Sequence, residues 1–177
     1  MNINQKLLLA INVVGGILVL GSYYFGLKGG KGADALWGGV PEKTRSLYGI
    51  SMLVCAVAYF VFLFYIMRGL GTGSLSNTIL LGEKLYLLLF AILLLASSFW
   101  MPFVNLYISN PTALIWFAVR LVLVIVALAS IGLFLALFTI SPKHTGGFFI
   151  ASLIGLFWFS IHTGILDAIF WPYLWGK

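Results

Sequence analysis

Charge is what this chain has least of. Of 177 residues only 8% are charged, ten basic and four acidic, while 62% are hydrophobic and the mean hydropathy is +1.12. A soluble domain carries about 25% charged and about 45–50% apolar residues. A water-facing surface is therefore excluded. Soluble enzymes go with it, and so do the nucleic-acid partners that a net charge of +6 would otherwise favour. In a membrane protein such basic excess marks cytoplasmic loops and lipid headgroup contacts. Cysteine is nearly absent. Cys55 alone excludes an internal disulfide, a Cys cluster for zinc and a redox pair, and its apolar surroundings make it a small hydrophobe. Signatures of chemistry are missing as well: no phosphate-cradling glycine loop, no His-Glu-x-x-His, no paired inward carboxylates, and no Ser/His/Asp set at usable spacing. Solenoid and inverted repeats are absent too. The chain demands no cofactor and reads more as a non-enzyme than as an intramembrane enzyme or haem protein using His162.

What is present is apolar sequence in long runs. A bilayer core of about 30 Å needs roughly 20 apolar residues per helix, and five stretches qualify: about 7–27, 47–67, 79–101, 112–140 and 147–174. Lipid forbids unpaired backbone and no alternating ten-residue strands occur, so the expected fold is an all-α bundle of five transmembrane helices forming one domain over 1–177. Lys6 precedes the first run, but the run is long and no small-x-small cleavage site follows it, so a retained helix is expected. The connection 28–46 is long and glycine-rich, with Trp37, Pro41 and six charged residues. The later connections are short, which predicts antiparallel sequential neighbours. Lys28, Lys31, Lys43, Arg45 and Lys177 fall on one face against Lys6, Arg68, Lys143 and perhaps Lys84 on the other. The positive-inside rule then sets the long loop and C-terminus in the cytoplasm, in a prokaryotic inner membrane.

Polar residues inside the spans carry the information. Arg120 and Asp167 lie equally far from the centre of the 141–146 turn, so antiparallel helices of equal rise bring them to one depth. An unpaired charge there costs several kcal/mol. An Arg120–Asp167 ion pair is therefore expected, either stapling the fourth and fifth spans or lining a cavity. Ser160, Thr163, Gly164, Asp167 and Trp171 recur at helical spacing and share a face. His162 lies about 140° around an α-helix from Asp167, which excludes a dyad. It is a haem-ligand candidate against the commoner role of a hydrogen-bonded packing residue. His144 in the turn is expected to be solvated. Glu83 and Lys84 open the third span as interface anchors, with Glu83 placed to meet Arg68.

Aromatic residues gather at one end. Trp37, Trp100, Trp171 and Trp175, with Tyr23, Tyr24, Tyr48 and Tyr107, fall at or near the first-loop face. Part of this is the aromatic belt. Trp100 also precedes Pro102 and Asn105 where the third span ends, so that end combines a long lid, indoles, an amide and a buried pair. This is the composition of a ligand pocket. The ligand-binding candidates are Trp37, Trp100, Pro102, Asn105, Arg120, Thr163, Asp167 and Trp171, and no metal site is expected. The expected partners are the lipid bilayer and a hydrophobic small molecule. The competing reading is a structural or accessory subunit packed on a larger membrane complex, or on a second copy as a homodimer.

Phe99-Trp100-Met101-Pro102-Phe103 is similar to the Trp-x-Pro-x-Phe signature of the tryptophan-rich sensory protein (translocator protein) family. Trp37 and Pro41 resemble what remains of that family's first-loop Trp/Pro motif. The five spans in under 180 residues resemble its topology. The resemblance implies that a planar hydrophobic ligand such as a porphyrin, haem or sterol binds under the first loop, with Trp100, Pro102 and Phe103 as the matching positions.

Overall fold

The computed structural model describes residues 1–29, 32–73, 75, 82–138, 140 and 146–175. Lys31, Lys143, His144 and Lys177 lie outside the described residues, as does most of the last turn. The elements are α1 (Ile3–Gly29), a short α2 (Ala33–Leu36), α3 (Glu42–Thr72), α4 (Glu83–Ser109) and α5 (Ala113–Phe138). The last crossing is composite: α6 (Gly147–Ile161), a π-helical segment (His162–Phe170) and α7 (Trp171–Leu174). Among the described residues there is no strand. α1, α3, α4, α5 and the composite Gly147–Leu174 are each long and apolar enough to cross a bilayer, which makes this an all-α integral membrane bundle of five spans.

Several boundaries differ from expectation: α3 (Glu42–Thr72) runs five residues past its expected span at each end, and two further differences have physical reasons. The third crossing starts at Glu83 and runs through Pro102 to Ser109, well beyond the expected end at Met101. Pro102 has no N–H for the carbonyl of Ser98, yet intramembrane helices absorb such a loss when neighbours pack around the gap. α2 is a helix inside the first loop, which was expected as a plain connection.

Sequence order and spatial order diverge. α1 packs on α4, α4 on α5, α5 on the last crossing, and the last crossing on α3, while α1 and α3 close the ring through the thinnest of these contacts. The expectation of sequential neighbours holds for α4–α5 and for α5 with the last crossing, but α3 and α4 stand apart in the ring. Small residues permit the close contacts: a Cβ on Gly26 of α1 would run into the side chains of Met101 and Asn105 on α4.

The half of the bundle away from α2 is solid. Phe62, Ile66, Tyr86, Phe90, Leu133, Leu137 and Leu156 are fully buried there and pack as one cluster. The buried Tyr86 hydroxyl donates to the Ala136 carbonyl at 3.1 Å, so its polar atom is satisfied. The N-terminal turn of α1 is tied down by amides. Asn2 and Gln5 donate to the carbonyls of Leu70 and Met67 at 2.6 and 3.0 Å, and Asn4 donates to Glu83 at 2.6 Å. Asn4, and not Arg68, is therefore the partner the structure gives Glu83.

Candidate ligand cavity under the first loop

The first loop folds back as a roof because its glycines let it press flat against the end of the last crossing. Gly38, at φ +56°, lies on the Trp175 ring, and a Cβ on Gly39 would strike the Leu174 carbonyl. The Trp171 indole N–H donates to the Leu36 carbonyl at 3.0 Å, and Val40 is buried between these elements. Arg45 on α3 clamps the loop from outside. Its guanidinium donates to the Val40 carbonyl at 3.2 Å, pairs with Asp34 at 3.4 Å, and stands 5.8 Å from the Trp37 ring centre. Asp34 is almost fully exposed, so that ion pair adds little on its own.

Beneath the roof is a cavity of about 240 Å³ to which all five spans contribute. Its walls are aromatic: Tyr23 from α1, Trp37 from the roof, Tyr48 from α3, Trp100 from α4 and Trp171 from the last crossing. Leu123 and Val126 of α5 and Met52 of α3 add apolar surface. Ser97 and Asp167 supply the polar side chains. Behind the walls Trp116, Trp171, Trp175 and Tyr107 stack with ring centres 4.6–6.1 Å apart, a packing that fixes the wall indoles. The Trp100 indole N–H is buried and has no acceptor among the described residues.

Asp167 ends a chain of polar groups. The Tyr48 hydroxyl donates to its Oδ1 at 2.5 Å, and His162 Nε2 stands 3.6 Å from the same oxygen. On its other side the imidazole Nδ1 is 2.8 Å from the Ser51 hydroxyl, and Ser51 Oγ accepts the Trp158 indole N–H at 3.2 Å. An indole is only a donor, so the serine oxygen receives that proton and its own hydroxyl is free to donate to Nδ1. With that arrangement the imidazole carries its proton on Nε2, toward Asp167; the serine oxygen has a second lone pair that serves the other tautomer equally. No hydrogen bond among the described residues reaches Asp167 Oδ2. The side chain keeps 28% of its surface, and it lines the cavity.

The π-helical segment is what makes this chain possible. An α-helix separates positions five apart by about 140°, whereas i→i+5 bonding brings them to one face. The Trp171 N–H accordingly bonds the Leu166 carbonyl, five residues back. His162 and Asp167 are five apart and meet, so the expected separation of these two residues is corrected. Thr163 contributes to the change of winding. Its hydroxyl donates to the Phe159 carbonyl at 2.9 Å, the acceptor that its own N–H would take in an α-helix.

The expected Arg120–Asp167 ion pair does not form. Ser130 and Thr163 hydrogen-bond across the two crossings at 2.8 Å. That contact sets Asp167, four residues on, level with Val126, four residues before Ser130. Arg120 is six residues further along α5, or roughly 9 Å away at 1.5 Å per residue. The turn itself lies outside the described residues, and the π segment shifts the register from the one that counting outward from it gives. Arg120 instead lies exposed on the outer face beside Trp116, Phe117 and Val124. It sits roughly 10 Å from the start of α5, where a long side chain can snorkel to the interface.

The structure brings four expected ligand residues together at the cavity: Trp37, Trp100, Asp167 and Trp171. The other four serve elsewhere. Asn105 donates to the Gly26 carbonyl at 3.2 Å and ties α1 to α4. Thr163 joins α5 to the last crossing through Ser130, and Pro102 is exposed on α4. Arg120 faces outward. His162 is 5% exposed and does not line the cavity; its Nδ1 meets the Ser51 hydroxyl, and its Nε2 stands 3.6 Å from Asp167 Oδ1. Sequence spacing missed Tyr23, Tyr48 and Ser51. Tyr48 was legible as an aromatic at the right depth, while Ser51 and His162 became legible only with the π segment. Ser51, His162 and Asp167 do form a Ser/His/Asp row that spacing had excluded. Its serine is 6% exposed and away from the cavity, so it has no access to a substrate there. No protein-family model, curated protein or solved structure matches the chain.

Proposed function

We propose that this protein binds a hydrophobic small molecule in the cavity under its first loop, as a receptor or carrier within the membrane. The observation that carries the reading is the cavity itself. It is a roofed space of about 240 Å³ with contributions from every span, walled by indoles and phenols, and supplied with one carboxylate whose second oxygen lacks a partner among the described residues. Apolar aromatic walls with few polar anchors are the ordinary make-up of a small-molecule site. The volume lies just under the roughly 300–1,000 Å³ of drug-sized pockets, which favours a compact guest or one whose tail leaves the cavity. The resemblance to tryptophan-rich sensory proteins supports the same location and adds porphyrins and sterols to the guests to be tried. Lys28, Lys43 and Arg45 near the roof support a cytoplasmic first loop under the positive-inside rule.

The test is indole fluorescence of the purified protein during titration with a porphyrin, a sterol and a hydrophobic amine. Saturable quenching by at least one probe, largely lost in Trp100→Phe, is the expected result. If none of the three perturbs the indoles, the accessory-subunit reading takes over, since exposed spans packed on a larger complex need no cavity guest.

A further inference from the structure

Resting on the cavity reading above, we infer that the guest is an organic cation, an amine or quaternary ammonium on a compact apolar body, whose charge sits at Asp167 Oδ2 among the aromatic walls. A carboxylate on a cavity wall at membrane depth is costly without a counter-charge. Asp167 Oδ1 meets a phenol from α3, Tyr48, and the imidazole of its own crossing, while the Tyr23 phenol of α1 and the Cys55 thiol of α3 lie near it as neutral groups. No cation of the described chain reaches it. From α1, Lys28 lies 5.8 Å over the Tyr24 ring. From α3, Arg45 is held by Asp34 and the Val40 carbonyl behind Trp37. From α5, Arg120 faces outward. The residues that α4 contributes to the cavity carry no charge.

Among the described residues the counter-charge is therefore open to a guest, and the surroundings suit one. Aromatic faces attract cations, and aromatic cages are the usual receptors for quaternary ammonium groups. Tyr23, Trp37, Tyr48, Trp100 and Trp171 line the same cavity as Asp167. A roofed apolar site also strips water from the guest, which strengthens attraction between opposite charges and penalises an anion equally. Free carboxylates such as a porphyrin's would meet repulsion at this wall, whereas an ammonium would take up the unpartnered oxygen.

The test uses a permanent cation, benzyltrimethylammonium, and its uncharged carbon isostere, neopentylbenzene, each titrated against purified full-length protein with indole fluorescence as the readout. Comparing wild type with Asp167→Asn for each probe cancels partitioning into detergent. Asp167→Asn is expected to weaken the cation by at least about 30-fold, while Asp167→Glu retains it and the isostere is unchanged in all three proteins. Equal binding of both probes in wild type and Asp167→Asn would overturn the inference and leave the cavity reading standing. Failure of both probes to quench wild type would overturn the inference, and the broader probe panel would then judge the cavity. If Asp167→Asn does not fold, wild type decides alone. Quenching by the cation but not by phenylmethanesulfonate supports the inference, and equal quenching by both contradicts it.

Discussion

The two ends of this bundle solve the membrane problem in opposite ways. Away from the first loop, α1, α3, α4, α5 and α6 meet around Phe62, Tyr86, Phe90 and Leu133, with no exposed surface left on these side chains. Under the first loop the same helices hold aromatic walls apart around a cavity and place a carboxylate beside it. Lipid tails are as apolar as leucine, so packing and hydrogen bonds hold spans together. The solid end therefore supplies cohesion, and the hollow end forgoes part of it to keep a space. Dense packing is the default for protein interiors, and a void costs its lining atoms their contacts. A cavity that every span lines, under a roof with its own hydrogen bonds, is the feature that the proposed binding role accounts for.

This contrast can be broken from either side. The largest effect belongs to the solid end: Phe62→Ala should lower stability by about 3–5 kcal/mol in reversible unfolding in detergent, because its buried neighbours cannot close the gap. A loss below about 1 kcal/mol would mean that this end is as loose as the other. Tyr48→Phe comes next. It removes the 2.5 Å hydrogen bond to Asp167 and should cost about 1–3 kcal/mol in the same assay, as leaving a buried acceptor without its donor does. Gly39→Ala tests the roof. Its new methyl meets the Leu174 carbonyl, so a cost of about 1–2 kcal/mol and a shifted indole emission are expected as Trp171 and Trp175 lose their cover. The smallest effect is Arg120→Gln, expected within about 0.5 kcal/mol of wild type because the side chain faces outward. A large loss there would restore the ion pair that the geometry removes.

Much of the fold was legible in the residues themselves. Five apolar runs, a scarcity of charge and a long glycine-rich connection lead directly to five spans and a loop that covers one end. The indoles at that end were legible as well, since Trp37, Trp100 and Trp171 sit at one depth by simple counting. What failed were the steps that assumed ideal geometry. Counting outward from the 141–146 turn matched Arg120 with Asp167. The Ser130–Thr163 contact sets the true register, and nothing in local sequence announces it. The 140° between His162 and Asp167 assumed α-helical winding, and the π segment removed it. Its traces in the sequence are slight: a threonine able to bond the carbonyl four residues back and a glycine beside it. Pro102 misled in the same manner, because a helix breaker in water is tolerated inside a packed bundle.

The central claim is that the space under the first loop holds a guest, and native mass spectrometry of protein released from its own membrane tests that most directly. Ser97→Phe should fill the cavity from α4, since Ser97 lines it and its hydroxyl bonds only the Leu93 carbonyl of its own helix. The account predicts a defined small-molecule adduct on wild type that is absent from a folded Ser97→Phe protein. Equal adducts on both proteins, or none on wild type, would contradict it.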